Sequence, residues 1–128
     1  MSARRGFTLI ELLVVVVIIG LLASIAVARF GVVKERAYVS AMQADLRSAL
    51  MAQFSYAEAQ NPPAFAETVA ELGDRFRPST GVTITFSLVS PTGFGVLATH
   101  AATTRRCAVF QGAAVTAPAT EEGKITCD

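Results

Sequence analysis

The feature that most constrains this chain is an apolar run near its N-terminus. No charged residue occurs from Leu12 to Ala28, and the longer stretch from Leu9 to Ala28 carries only Glu11. A helix of about 20 residues is about 30 Å long, which matches the hydrocarbon core of a bilayer. The sequence therefore predicts one membrane-spanning helix, followed by a body of ordinary polarity.

The composition of the 128-residue chain allows one small domain beside that helix. Apolar residues make up 52% of the chain and the mean hydropathy is +0.50, which is high for a soluble protein. The 11 basic and 10 acidic side chains nearly cancel. The net charge therefore indicates neither a nucleic-acid partner nor an acidic substrate.

The helical pattern continues beyond the apolar run, but its character changes. Apolar residues now recur at spacings of three and four, which places them on one helical face. They are Tyr38, Met42, Leu46, Ala49, Leu50, Phe54 and Ala57. Polar residues fill the other positions, among them Lys34, Glu35, Asp45, Arg47, Gln53 and Glu58. Asn61 and the two prolines after it end the pattern, because proline excludes helical geometry. We predict one nearly continuous helix of about fifty residues.

The remaining residues predict a short helix and a small antiparallel sheet. Residues 64–73 favour one or two helical turns with Gly73 as the C-cap, and residues 75–81 a loop. In the first strand, apolar and polar residues alternate, so that one face carries Val82, Ile84, Phe86 and Leu88. Further strands are predicted at 94–99, 107–111 and 124–127. The sheet should pack on the amphipathic half of the long helix, which defines an α+β fold.

The residues around the start of the apolar run form a recognisable motif. The string Arg4-Arg5-Gly6-Phe7-Thr8-Leu9-Ile10-Glu11-Leu12-Leu13 resembles the signature of type IV prepilins, a family that includes the pseudopilins of type II secretion systems. The resemblance extends through the apolar helix to about Ala28. The plan of a long helix with a sheet and a C-terminal cysteine pair is also pilin-like, although those traits are less specific.

The resemblance implies how the N-terminus is processed. A prepilin peptidase in the membrane cuts between Gly6 and Phe7 on the cytoplasmic face and methylates the new amine of Phe7. Gly6 lacks a Cβ, so its backbone can enter a protease cleft in extended form. Arg4 and Arg5 favour a cytoplasmic N-terminus under the positive-inside rule.

Glu11 is the informative exception within the apolar run. An acidic residue costs roughly 2.5–3.5 kcal/mol at the centre of a membrane helix and usually needs a partner. In the family that partner is the N-terminal amine of a neighbouring subunit, here the amine of Phe7. The resemblance therefore implies that Glu11 sets the axial register of a filament, as a buried ion pair can.

The resemblance also implies partners, a location and a division of the chain. The partners are the prepilin peptidase, other copies of this chain and related pilins, and an inner-membrane assembly platform driven by a cytoplasmic ATPase. The subunit would cross the inner membrane once before it enters a surface filament or a periplasmic pseudopilus. The chain divides into a leader (1–6), a membrane and filament-core helix half (7–30), an amphipathic helix half (31–61) and a globular region (62–128).

Several alternatives remain open at this point. Family members usually carry a proline where this chain has Ala28, which weakens the argument for a major pilin over a minor pilin or a pseudopilin. Gly31 could replace that proline as a flexible point, whereas Gly20 and Gly31 could equally serve close helix packing. A secretory signal cleaved after Ala26-Val27-Ala28 would instead release a soluble binding domain starting at Arg29. Glu11, the complete motif and the continuing helix oppose that reading.

Cys107 and Cys127 are expected to form a disulfide if the apolar segment exports the C-terminal region. Closing a loop of about twenty residues would contribute on the order of 3 kcal/mol. The alternative is a pair of reduced, buried thiols.

Other polar residues provide only weak candidate sites. His100 is the sole histidine, and we expect it at the surface or at a strand end. Arg105 and Arg106 could meet an anionic partner or DNA but are more typical of a solvated turn, and Glu121 and Glu122 offer too few carboxylates for a calcium site. The sequence predicts no enzymatic activity, cofactor, metal site or nucleic-acid site.

Overall fold

The computed structural model describes residues 6–128; residues 1–5, with Arg4 and Arg5 of the predicted leader, lie outside the described residues. The first helix, α1, runs from Leu9 to Ala59 and has 51 residues. It ends just before Asn61 and the prolines, as predicted. The helix is unbroken at Ala28 and Gly31.

The chain divides into two compact units, with the division between Lys34 and Glu35. In the first unit every residue from Gly6 to Lys34 is exposed. Most of the exposed side chains from Leu9 to Val33 are large and apolar. By length and composition α1 can cross a membrane, which agrees with the predicted span.

The second unit contains the rest of α1, a short helix and a four-stranded antiparallel sheet. The short helix, α2, is Val69–Leu72, and a turn of 3₁₀ helix follows at Gly73–Arg75. The strands are β1 (Val82–Ser90), β2 (Gly93–His100), β3 (Arg106–Gln111) and β4 (Thr126–Cys127). They lie in the order β1-β2-β3-β4, and β4 is two residues shorter than the predicted strand.

The core lies between one face of α1 and the inner face of the sheet. Met42, Leu46 and Ala49 are fully buried on the helix side. The sheet contributes Phe94, Val96, Ala98 and Val109, the loop after α1 adds Ala66, and α2 adds Leu72. Burying a side chain of the size of Leu or Met stabilises the fold by about 1.5–3 kcal/mol. The predicted packing of the sheet on the amphipathic half of the helix, and with it the α+β pilin-like fold, is confirmed.

The predicted buried face of the helix is wrong at three positions. Asp45 and Gln53, which the spacing assigns to the polar side, are 6% and 0% exposed. Phe54, which the spacing assigns to the buried face, is 41% exposed. Ala52 is buried as well, so the covered arc of the helix is rotated toward positions 45, 49, 52 and 53. The loops that pack on α1 form hydrogen bonds with the side chains of Asp45 and Gln53. Helical periodicity alone does not reveal these partners.

The predicted alternation of β1 fails near its end. Val82 and Ile84 face the core, but Leu88 is 65% exposed and Val89 packs against the core instead. A bulge shifts the register between Ser87 and Ser90, and Leu88 has a φ of 50°. One extra residue in a strand reverses which side chains face inward.

The outer face of the sheet is covered by the segment between β3 and β4. Ala108, Phe110 and Ala119 are buried there, with Leu97 packed against them. The hydroxyl groups of Thr116 and Ser87 are 3.0 Å apart across Gly95. A Cβ at Gly95 would collide with the Thr116 side chain, so this close approach requires glycine.

Candidate processing and assembly site

The predicted cleavage site lies in the non-helical residues that precede α1. Gly6, Phe7 and Thr8 have no regular secondary structure, and Phe7 is 79% exposed. Apart from Gly6 and its chain neighbours, none of the described residues places an atom within 4 Å of the position that a Cβ of Gly6 would occupy. An exposed, extended backbone is the form in which a peptide enters a protease cleft.

Thr8 and Glu11 form a reciprocal cap at the start of α1. The Thr8 backbone N–H and hydroxyl donate to Glu11 Oε2 over 2.8 Å and 2.7 Å, and the Glu11 N–H donates to the Thr8 Oγ1 over 3.3 Å. This is the capping-box arrangement, in which a Thr and a Glu three residues later satisfy each other's unpaired backbone groups. The cap also fixes the direction of the Glu11 carboxylate.

The surroundings of the Glu11 carboxylate are apolar. Its neighbours on the helix surface are Phe7, Ile10, Val14 and Val15. Within residues 6–128, Thr8 is the one hydrogen-bonding partner of the carboxylate, and no cation pairs with it. The carboxylate therefore retains capacity for a further donor, and the apolar surroundings would strengthen an interaction with a positive charge.

Sequence reasoning identified Gly6, Phe7 and Glu11 but gave Thr8 no role beyond its place in the motif. The signal was readable, because Thr-x-x-Glu before an apolar run is a helix-start pattern. The structure brings Thr8 and Glu11 together and places Phe7 beside them.

The cysteine pair lies in the second unit, apart from this site in the sequence. Cys107 and Cys127 form a disulfide with an S–S distance of 2.03 Å, so the predicted bond is confirmed. The bond links β3 to β4, where the two cysteines are register partners. Gln43 of α1 donates to the Cys127 Sγ over 3.4 Å. The disulfide therefore attaches β4 to β3, and the hydrogen bond from Gln43 attaches β4 to the helix.

The two arginines beside the disulfide are engaged by Asp128. The Arg106 backbone N–H donates to Oδ1 over 2.7 Å, and its Nε and Nη2 donate to Oδ2 over 3.1 and 2.9 Å. Arg105 Nε donates to the Asp128 backbone carbonyl. These bonds, first the one from the Arg106 backbone and then those from its side chain, lower the pKa of Asp128. The arginine pair thus binds the end of this chain rather than lying free in a turn.

The remaining candidates also have structural partners. His100 is the last residue of β2, as predicted, and its ring stacks on Tyr38 with centroids 4.3 Å apart. Its Nδ1 accepts from the Ala102 N–H. Glu122 accepts from the Gly112 N–H and from Gln111, and Glu121 pairs with a lysine, Lys124, at 2.8 Å. Both carboxylates therefore have partners within the chain.

Comparison with known proteins agrees with the N-terminal site. Residues 1–27 match the family model described as the prokaryotic N-terminal methylation motif, which is the type IV prepilin-type signature. No curated protein matches the chain. The match covers the N-terminal motif, so the chain is similar there to type IV pilin-like proteins, and its apolar N-terminal helix fits a membrane-anchored pilin.

Proposed function

We propose that this chain is a structural subunit of a type IV pilus-like filament, cut between Gly6 and Phe7 and methylated at Phe7. The supporting observation is Glu11, a carboxylate on an exposed apolar helix whose partner among the described residues is Thr8 alone. Hydrolysis of the Gly6-Phe7 bond creates an amine four residues before that carboxylate. The new amine supplies a positive charge, which Glu11 lacks among residues 6–128.

The division of the chain follows from this proposal. Residues 1–6 are the leader that the peptidase removes, and residues 7–30 cross the inner membrane and later form the filament core. Residues 31–61 continue the helix as an amphipathic half, and residues 62–128 form the globular region. The N-terminus is cytoplasmic before assembly, and the globular region lies on the other side of the membrane.

Assembly then exchanges one apolar environment for another. The Leu, Ile and Val side chains that contact lipid pack against the helices of neighbouring subunits, and the Phe7 amine of one subunit pairs with Glu11 of the next. The prepilin peptidase, related pilins and an assembly platform with a cytoplasmic ATPase are the partners that this function requires.

The second candidate within the class is a pseudopilin or a minor pilin. The observation that favours it is Ala28, where α1 continues without a break. The small globular region favours a repeated subunit, because bulky insertions would hinder close packing of helices. Whether this chain is the dominant protein of isolated surface fibres distinguishes the two.

Intact-mass analysis of the protein from membranes and from fibres tests the processing. We expect a mature chain that starts at a methylated Phe7. A mature chain that starts at Arg29, found in a soluble fraction, would instead show a secreted binding domain and overturn the proposal.

Substitution of Glu11 tests the assembly. We expect Glu11→Ala to be cut normally and to remain in the membrane without entering fibres, because the amine of the neighbouring subunit loses its partner. Glu58→Ala, which removes an exposed carboxylate of the same helix, is the matched control and should assemble. Normal fibres from Glu11→Ala would contradict the proposed role.

A further inference from the structure

The end of the apolar run carries a group of exposed basic and aromatic side chains. Arg29, Phe30 and Lys34 are all exposed, with 60% of Phe30 accessible. The Lys34 Nζ lies 4.7 Å from the centroid of the Phe30 ring, which is a cation–π distance. Helical side chains lean toward the helix N-terminus, so the Lys34 ammonium reaches back to the level of Phe30.

The depth of this group in a bilayer follows from the length of the helix. From Leu9 to Phe30 an α-helix rises about 30 Å, the thickness of the hydrocarbon core. If Leu9 lies at one boundary of the core, Phe30 lies at the other boundary, and the side chains of Arg29 and Lys34 are within reach of the lipid phosphates just beyond it. This step rests on the proposed membrane anchoring of the subunit.

A role in setting the orientation of the helix in the membrane does not explain why these basic residues follow the span. Arg29, Lys34 and Arg36 follow the span, whereas only Arg4 and Arg5 precede it. The positive-inside rule would place the end with more basic residues, the one after the span, on the cytoplasmic side. The prepilin-type motif instead places the leader on that side. The basic residues after the span therefore oppose the orientation that the motif implies.

The two cations also have no counter-ion among residues 6–128. In the part of the chain that the structure describes, neither Arg29 nor Lys34 takes part in a salt bridge. Lys34 contacts an aromatic face, which leaves its ammonium protons able to bind an anion. Phosphate oxygens are the anions that a bilayer presents at this depth.

We propose that Arg29 and Lys34 bind the phosphate groups of phospholipids in the leaflet opposite the leader, with Phe30 seated at the boundary of the acyl chains. The three side chains hold the span at one depth until the subunit is withdrawn from the membrane. Withdrawal toward the filament must then break these phosphate contacts.

Direct contacts to phosphorus provide the first test. The full-length chain, labelled with ¹⁵N, is reconstituted in vesicles of phosphatidylcholine and phosphatidylglycerol, and ³¹P–¹⁵N dipolar contacts are measured by solid-state NMR. We expect contacts from the side chains of Arg29 and Lys34. The double variant R29Q/K34Q should lose them, whereas R47Q, which removes an exposed charge farther along α1, should keep them.

Amide hydrogen exchange across residues 27–33 provides the second test. A Lys or Arg near an anionic surface contributes about 1 kcal/mol, so each cation removed should speed exchange about fivefold. In bilayers of digalactosyl diacylglycerol, which contains no phosphate, the double variant and the unsubstituted chain should exchange alike.

The same data separate failure of this inference from failure of the proposed anchoring. Slow exchange at residues 14–25 without ³¹P contacts at Arg29 and Lys34 would overturn the inference and leave the anchoring intact. An equal exchange rate in R29Q/K34Q and the unsubstituted chain in phospholipid would also overturn it. Fast exchange at residues 14–25 would overturn both.

Discussion

Gln53 illustrates how a polar side chain on a helix can organise a loop. It is fully buried, and its amide donates to the Ala66 carbonyl and accepts from the Ala66 N–H, each over 2.8 Å. Asp45 acts in the same way on the loop before β1, where it accepts from the N–H and the hydroxyl of Ser79. Polar side chains of α1 therefore fix two loops, the one at Ala66 before α2 and the one at Ser79 before β1.

Replacing Gln53 should destabilise the second unit. Gln53→Ala leaves two buried backbone groups of Ala66 unsatisfied, at about 1–3 kcal/mol each. We expect a clear loss in the free energy of unfolding, measured with urea on the full chain in detergent micelles. Arg47→Ala, an exposed change on the same helix, is the control. Equal effects of the two substitutions would contradict the anchoring role.

The carboxylate of Asp128 gives the attachment of the last strand a pH dependence. Because its hydrogen bonds to Arg106 lower the pKa of Asp128, the ionised form favours the folded state. This contribution is complete above the ordinary aspartate pKa of about 3.9 and is lost as the pH falls through the lower value of the folded state. The protection factors of the amides at residues 106 and 126–128, which correct for the intrinsic pH dependence of exchange, should therefore fall on acidification.

The matched variant for this pH effect is Asp128→Asn. It retains the shape of the side chain but does not ionise, so the fall in protection below about pH 4 should disappear. An unchanged acid response in the variant would assign the effect to another group.

Among the elements, β1 departs most from its sequence pattern. Leu88 lies in the left-handed region of φ at the bulge and is mostly exposed. A non-glycine residue there costs about 1–2 kcal/mol, while the side chain gains little from burial. The bulge in turn places Val89 against the core.

Leu88→Gly should therefore stabilise the protein. Glycine adopts this φ without a steric penalty but loses more chain entropy on folding, so we expect a net gain of about 0.5–1 kcal/mol. Chemical denaturation of the full chain measures it. Leu88→Ala, which retains the penalty, should show no gain, and an equal gain from alanine would assign the effect to the loss of the exposed side chain.

For the chain as a whole, the two units differ in where their stability originates. The buried residues of α1 begin at Met42, and none of the described residues in the first unit is buried. The exposed apolar surface of the first unit therefore needs lipid or neighbouring helices, whereas the second unit contains its own core.

Removing residues 1–34 should consequently leave a folded, soluble domain. We expect the truncated chain to keep the Cys107–Cys127 disulfide and a Tm within about 4 °C of the full chain in micelles, measured by circular dichroism. A chain that starts at residue 47 lacks Met42 and Leu46 and should not fold cooperatively. Loss of cooperative folding in the longer fragment would show that the first unit contributes to stability.

Much of this architecture was predictable because local chemistry dictates it. Three local patterns specify elements. They are an uncharged apolar run of bilayer length, apolar residues at spacings of three and four up to two prolines, and the alternation from Val82 to Phe86. The residues of the candidate processing and assembly site could be named from the sequence, since Gly6, Phe7 and Glu11 lie within a few residues of one another and of the helix start.

The tertiary structure alone decided the features that depend on partners far apart in the sequence. Burial of Asp45 and Gln53 requires the loops at Ser79 and Ala66, which no helical period encodes. The outward turn of Leu88 requires a bulge that shifts the register. Arg106 finds Asp128 because the strands at Cys107 and Cys127 are neighbours. The sequence by itself thus determined the elements and the N-terminal motif, because these rest on short-range sterics and hydrophobicity. Packing of the elements decided which polar residues, far apart in the sequence, form hydrogen bonds with each other.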